Sequence, residues 1–179
     1  MRKISNRVML LYVKGKLMNT KDIKKKVEEL VVGFNPDFFI YELLQCYGVN
    51  NATISRLKGK TTSSYNKAKV DGEVLWKKKV YYKSVGVGTD LLSCVGEMKK
   101  DTAALKQDVR IVLVTDFEAI AAIDMKTGES LDCTIVELTR FYDFFEIWAG
   151  REKRNFENEK IADIKAAEKM AKLFDVIKD

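Results

Sequence analysis

The residues best suited to chemistry in this sequence are Asp71, Glu73 and Lys83, followed by Glu97 and Asp101. Val70 to Trp76 reads as a strand, and side chains two apart on a strand share a face, which puts both carboxylates on one side of a sheet. Val80 to Ser84 reads as the partner strand of a hairpin turned by Lys77-Lys78-Lys79, and it brings Lys83 alongside them. Acidic oxygens next to an ammonium are what magnesium-dependent phosphodiester hydrolysis requires. The hard cation takes oxygen ligands, its bound water attacks, and the ammonium offsets charge growing on the phosphate. On pattern alone, a charged hairpin facing solvent is the commoner explanation of the same residues. The chain has no histidine, which excludes Ser-His and Cys-His nucleophilic catalysis, His-liganded zinc and imidazole acid–base chemistry.

The elements that must position these residues follow from capping signals and apolar spacing. Asn19 or Thr20 caps a helix carrying Ile23, Val27, Leu30 and Val31, which Gly33 ends. Asn35-Pro36 starts a second, strongly apolar helix that stops at Gly48, and Asn50 or Asn51 opens a short third one. Lys58 to Asn66, rich in Gly, Thr and Ser, is a loop. The period then changes to that of strands. After the hairpin and a Gly86-Val87-Gly88 turn, Thr89 or Asp90 caps a helix to about Leu105, on which Glu97 and Asp101 share a face. Arg110 to Thr115 is a near-continuous apolar strand of the kind buried on both sides. Strands at Ala119 to Met125 and Leu131 to Ile135 follow, then a helix from Thr139 to Trp148 ended by Gly150. This order predicts an α/β sandwich with a mixed sheet of about five strands, the Val70–Ser84 hairpin at its centre.

The 179 residues fit one ordinary domain, and 46% apolar with 32% charged residues fits a folded core. No apolar stretch approaches the roughly 18 residues of a membrane span. A net charge of +6, from 32 Lys and Arg against 26 Asp and Glu, suits an anionic partner. Cys46, Cys94 and Cys133 are odd in number and sit among apolar neighbours, as buried thiols of a reducing cytoplasm do. Residues 1–18 are basic, with an apolar run from Val8 to Val13, and read as an extension or leader or else as an added edge strand. Ala162 to Asp179 repeats apolar residues at helical spacing with no stop signal, the expectation for a helix cut off mid-course.

The run from Gly72 to Ser84, followed by Asp90-Leu91, resembles the amino-terminal nuclease motif of single-chain type IIG and IIL restriction–modification enzymes. Ile111 to Phe117, Ile123-Asp124 and Thr127-Gly128-Glu129 are similar to the strand pair after that nuclease's helix. Phe144 to Gly150 resembles its closing helix, and Asp163 to Leu173 the start of the family's helical connector. The likeness implies a PD-(D/E)XK restriction-endonuclease-like fold over residues 19–150, a mixed sheet flanked by helices with a helical N-terminal segment. Residues 151–179 would then begin the connector to an adenine-specific DNA methyltransferase. It further implies double-stranded DNA and the rest of the methyltransferase chain as partners, a cytoplasmic role in phage defence, and Mg²⁺ if the nuclease is active.

Mapped residue by residue, the resemblance places the catalytic lysine at Lys83 and the upstream acid at Glu73, with the spacing between them two residues short. Two residues before the lysine, where the family has glutamate, this chain has Tyr81. A tyrosine does not hold magnesium at neutral pH, so the substitution favours a degenerate nuclease. The alternative is that the missing carboxylate has migrated to the following helix. The catalytic set would then be Asp71, Glu73, Lys83 and Glu97, with Glu73, Glu97 and Asp101 as metal ligands. A third reading is an interaction scaffold that binds no DNA. Lys77, Lys78, Lys79 and Tyr81 are the candidate DNA contacts, against the blander readings of a solvated turn and cross-strand packing. Glu42 on the second helix is a further candidate near the metal.

Overall fold

The computed structural model describes residues 19–59 and 65–151. The extension at 1–18, part of the loop at 60–64 and nearly all of the connector lie outside the described residues.

Three helices open the domain. In α1 (Thr20–Val32), the Asn19 side chain accepts a hydrogen bond from the Lys21 amide at 3.3 Å, and Ile23, Val27 and Leu30 are buried. α2 (Phe39–Cys46) begins later than expected. Asn35 spends its side chain on the Asp37 amide at 3.1 Å, and a turn fills the gap to Phe39. α3 (Asn51–Lys58) is capped by Asn50, whose Oδ1 accepts from the Thr53 amide at 2.8 Å.

The sheet has five strands in sequence order: β1 (Val74–Trp76), β2 (Val80–Ser84), β3 (Ile111–Thr115), β4 (Ala119–Asp124) and β5 (Ser130–Thr134). All neighbours are antiparallel except β2 and β3, which run parallel. A parallel pair needs a crossover, and α4 (Leu91–Lys100) and α5 (Thr102–Lys106) supply it. The mixed, helix-flanked α/β sheet is as expected.

Four details of the expectation change. The hairpin lies at the sheet edge rather than its centre, because β3 bonds to β2 on one side and β4 on the other. β1 is three residues long, because Asp71 and Gly72 form a turn with Gly72 at φ 86°. The period-two argument for Asp71 and Glu73 therefore has no strand to act on. The helix expected to run to Leu105 breaks at Asp101, which is extended (φ −62°, ψ 129°) and ends α4 while capping α5. The last helix is two 3-10 segments, Val136–Thr139 and Tyr142–Ala149, closed by Gly150 at φ 81°.

Each face of the sheet is covered. On one, Val74, Val80, Tyr82, Ile111 and Leu113 pack against α1–α3 and the 3-10 segments. On the other, Leu75, Tyr81, Val112 and Val114 pack against α4 and α5. β3 is buried along its whole length, as its unbroken apolar run requires. Cys46 and Cys133 are buried free thiols, each pushed up to about 11 chiefly by burial. No helix among the described residues is long and apolar enough to cross a membrane.

Candidate active-site end of the sheet

The antiparallel register pairs Val74 with Tyr82 and Leu75 with Tyr81, which sets Glu73, the residue just before β1, across from Lys83. The Lys83 ammonium lies 3.5 Å from Glu73 Oε1. Glu73 is 8% exposed, whereas the Lys83 side chain is 43% exposed, so the carboxylate is sunk and the cation is half in water. The backbone around Glu73 is held by Asn66, which donates from Nδ2 to the Glu73 carbonyl at 2.8 Å. The Asn66 Oδ1 accepts from the amides of Ala68 at 2.9 Å and Leu75 at 2.8 Å. One side chain thus ties the incoming loop to the start of β1. The sequence reading missed Asn66, although an Asn just upstream of a strand is a recognised turn-former.

Tyr81 precedes Lys83 by two residues and so shares its side of the sheet. Its hydroxyl lies 3.3 Å from Glu73 Oε2 and 3.3 Å from Asp101 Oδ2. A phenol has one proton, so it donates to one carboxylate at a time. Burial, then the charges of Glu73 and Asp101, push the Tyr81 pKa well up, which keeps that proton in place. Tyr81 is 8% exposed and packs among the second core's residues, so its ring is not presented at the surface for a base to stack on. Tyr82 faces the opposite core.

Asp101 arrives through the break between α4 and α5. Its Oδ1 accepts from the Ala103 amide at 2.8 Å, which caps α5 and leaves Oδ2 to face Tyr81. Glu97, by contrast, stands exposed on α4 and has no hydrogen bond or ion pair with Glu73, Tyr81, Lys83 or Asp101 among the described residues. Asp71 is exposed in the turn before β1, where it and Glu73 line a polar cavity of about 310 Å³ with Tyr41, Lys58 and Lys69. Lys58 is held there by aromatic faces, its ammonium 4.3 Å from the Phe38 ring centre and 4.8 Å from that of Tyr41. Glu42 lines a different, shallow depression with Lys26 and Glu29 of α1.

The structure therefore unites Glu73, Lys83, Tyr81 and Asp101, places Asp71 at the rim, and leaves Glu97 and Glu42 outside. Lys77, Lys78 and Lys79 turn the hairpin at the other end of β2, about 13 Å from Lys83 at strand spacing. The donor set does not fit a caged divalent ion. Among the described residues no three carboxylate or thiol groups converge on one point. Of the two that approach, Glu73 is engaged by Lys83 and Tyr81, and Asp101 by Tyr81 and the Ala103 amide.

The sequence family described as the N-terminal domain of MmeI matches residues 18–179. This chain belongs to the MmeI N-terminal domain family. It is also 40% identical, over 157 residues and 88% of its length, to DNA methyltransferase A of Bacillus subtilis (strain 168). The chain spans 17% of that relative's length. No solved structure matches it. The MmeI-family match includes every residue of the candidate site, from Asp71 to Asp101.

Proposed function

We propose that this chain is the N-terminal, DNA-facing domain of a type II restriction–modification methyltransferase, and that its nuclease-like site no longer cleaves. The family match and the methyltransferase relative support the first part. The observation that carries the second is the Tyr81 hydroxyl poised between Glu73 and Asp101. Where phosphodiester hydrolysis needs a second acidic oxygen beside the lysine, this chain offers a neutral phenol that donates a hydrogen bond instead of accepting a metal. Lys83 retains the nuclease position but is turned to holding Glu73. The domain would keep the fold and its cationic surface while the methyltransferase carries the chemistry.

The test is supercoiled plasmid incubated with the full chain and Mg²⁺ or Mn²⁺. The expected outcome is no nicking, unchanged in Lys83→Ala. Metal-dependent nicking that Lys83→Ala abolishes would overturn the reading. One observation favours that second reading, an active endonuclease with a migrated acid. Asp101 reaches the site from the following helix region, the side from which a replacement carboxylate would have to come.

A further inference from the structure

At the far end of β2 lies a cleft of about 420 Å³. Lys78, Lys79, Arg110 and Lys126 line it, with Asp108 as the single acid on its wall and Trp148 among its apolar residues. Arg110 is committed to the buried Asp124 at 2.7 Å. Lys78 and Lys79 have no ion-pair partner among the described residues. Lys79 is half-buried, and that burial lowers its pKa, the mark of an ammonium kept from water with no carboxylate in compensation.

The backbone here is also unusual. Lys78 and Asp108 both adopt positive φ, 60° and 50°, and the Lys78 amide bonds to the Gln107 carbonyl at 3.0 Å, locking the two turns together. Such conformations in residues other than glycine gather where a binding surface has to be shaped. The Trp148 indole N–H donates to the Lys79 carbonyl at 3.3 Å and fixes the wall. The Lys78 and Lys79 amides are both taken by carbonyls, so only side-chain ammoniums remain to meet a ligand. They would act as point charges, suited to phosphate oxygens and blind to base identity.

We propose that this cleft is a phosphate-binding site in which Lys78, Lys79 and Lys126 hold a phosphate group beside Trp148. The phosphate could belong to a DNA backbone or to a free phosphate compound. The DNA source rests on the function proposed above; the free source does not.

The test uses the full chain and two probes: a fluorescent DNA duplex followed by anisotropy at increasing salt, and inorganic pyrophosphate followed by calorimetry. If the backbone is the ligand, Lys78→Glu with Lys126→Glu weakens duplex binding at least about tenfold and lowers the salt slope by about two. Pyrophosphate then shows no binding. If the ligand is a free phosphate compound, pyrophosphate binds and the double variant loses it. Lys21→Glu with Lys24→Glu, on the exposed side of α1, should change neither. Lys79→Met serves as a second variant should the charge reversals disturb folding, and it should weaken the same probe. The proposal is overturned if neither probe binds, if binding survives these substitutions, or if the α1 control weakens it equally. Pyrophosphate binding without duplex binding would sink the DNA-facing reading and leave this one standing. Duplex binding indifferent to the cleft lysines would do the reverse.

Discussion

A lysine stands near each end of β2, Lys79 in the turn just before it and Lys83 within it, and the two live in opposite electrostatic settings. Lys83 meets Glu73 at 3.5 Å with almost half its side chain in water. Lys79 is half-buried and has no ion-pair partner among the described residues, and Asp124, across the strands from it, is taken by Arg110. The difference does not come from the lysines themselves. It comes from what the neighbouring strands deliver: an acid just before β1 stands beside Lys83, while Arg110 just before β3 and Asp124 at the end of β4 close a pair of their own near the Lys79 end. One end is internally neutralised, whereas the other keeps positive charge for something outside.

The comparison can be broken most severely at the wall of the basic end. Trp148→Ala removes a buried indole and its bond to the Lys79 carbonyl, and should cost about 3–5 kcal/mol in urea unfolding. Next comes Arg110→Ala, which strands the buried Asp124 carboxylate and should cost about 3 kcal/mol. Burial raises the Asp124 pKa, but the Arg110 hydrogen bond and the amides of Lys126 and Thr127 outweigh it and hold the group below the ordinary range. A carboxyl depressed on folding stabilises above its unfolded value and loses that stabilisation as the pH falls through its folded one. The wild type should therefore weaken below about pH 4, and Arg110→Ala should show a smaller acid loss over that range.

At the neutralised end the expected effects are smaller. Tyr81→Phe should cost about 1 kcal/mol, the worth of a hydrogen bond shared between two carboxylates. Burial first, then those carboxylates, raise the Tyr81 pKa, so its contribution is complete below the unfolded value near 10 and fades as the pH rises beyond it. Tyr47 and Tyr82 are raised the same way, chiefly by burial. Thermal scans above pH 10 should show a steep loss, slightly reduced in Tyr81→Phe, with a step in phenolate absorbance from these buried tyrosines at the unfolding transition. The sharpest comparison is also the smallest. Lys83→Met should cost less than about 1 kcal/mol, as half-exposed ion pairs do. Lys79→Met should leave stability within about 0.5 kcal/mol of the wild type, since no partner is lost.

Some of this was legible without coordinates. The apolar run at 111–115 announced a strand buried on both faces, and the Asn and Asp caps announced α1, α3 and α4, because both signals are local. The pairing of Lys83 with Glu73 followed from a three-lysine turn and a hairpin register. Other features were not legible. Asp101 could cap a helix or continue one, and its neighbours along the chain do not distinguish the two. Gly72 permits a turn without demanding it, so Asp71 was placed on a strand that starts two residues after Gly72.

By itself, then, the sequence determined which segments are apolar, where three of the helices are capped, that no imidazole takes part, and that a tyrosine stands two residues before Lys83. The tertiary structure alone decided that the hairpin forms an edge, and that the Tyr81 hydroxyl meets acids eight residues before it and twenty after. It alone gathered the cations of Lys78, Lys79, Arg110 and Lys126 around one cleft. The physical reason is range. Capping and periodicity act within a few residues of chain, whereas a charge is priced by whichever groups the fold brings near it, however distant in sequence.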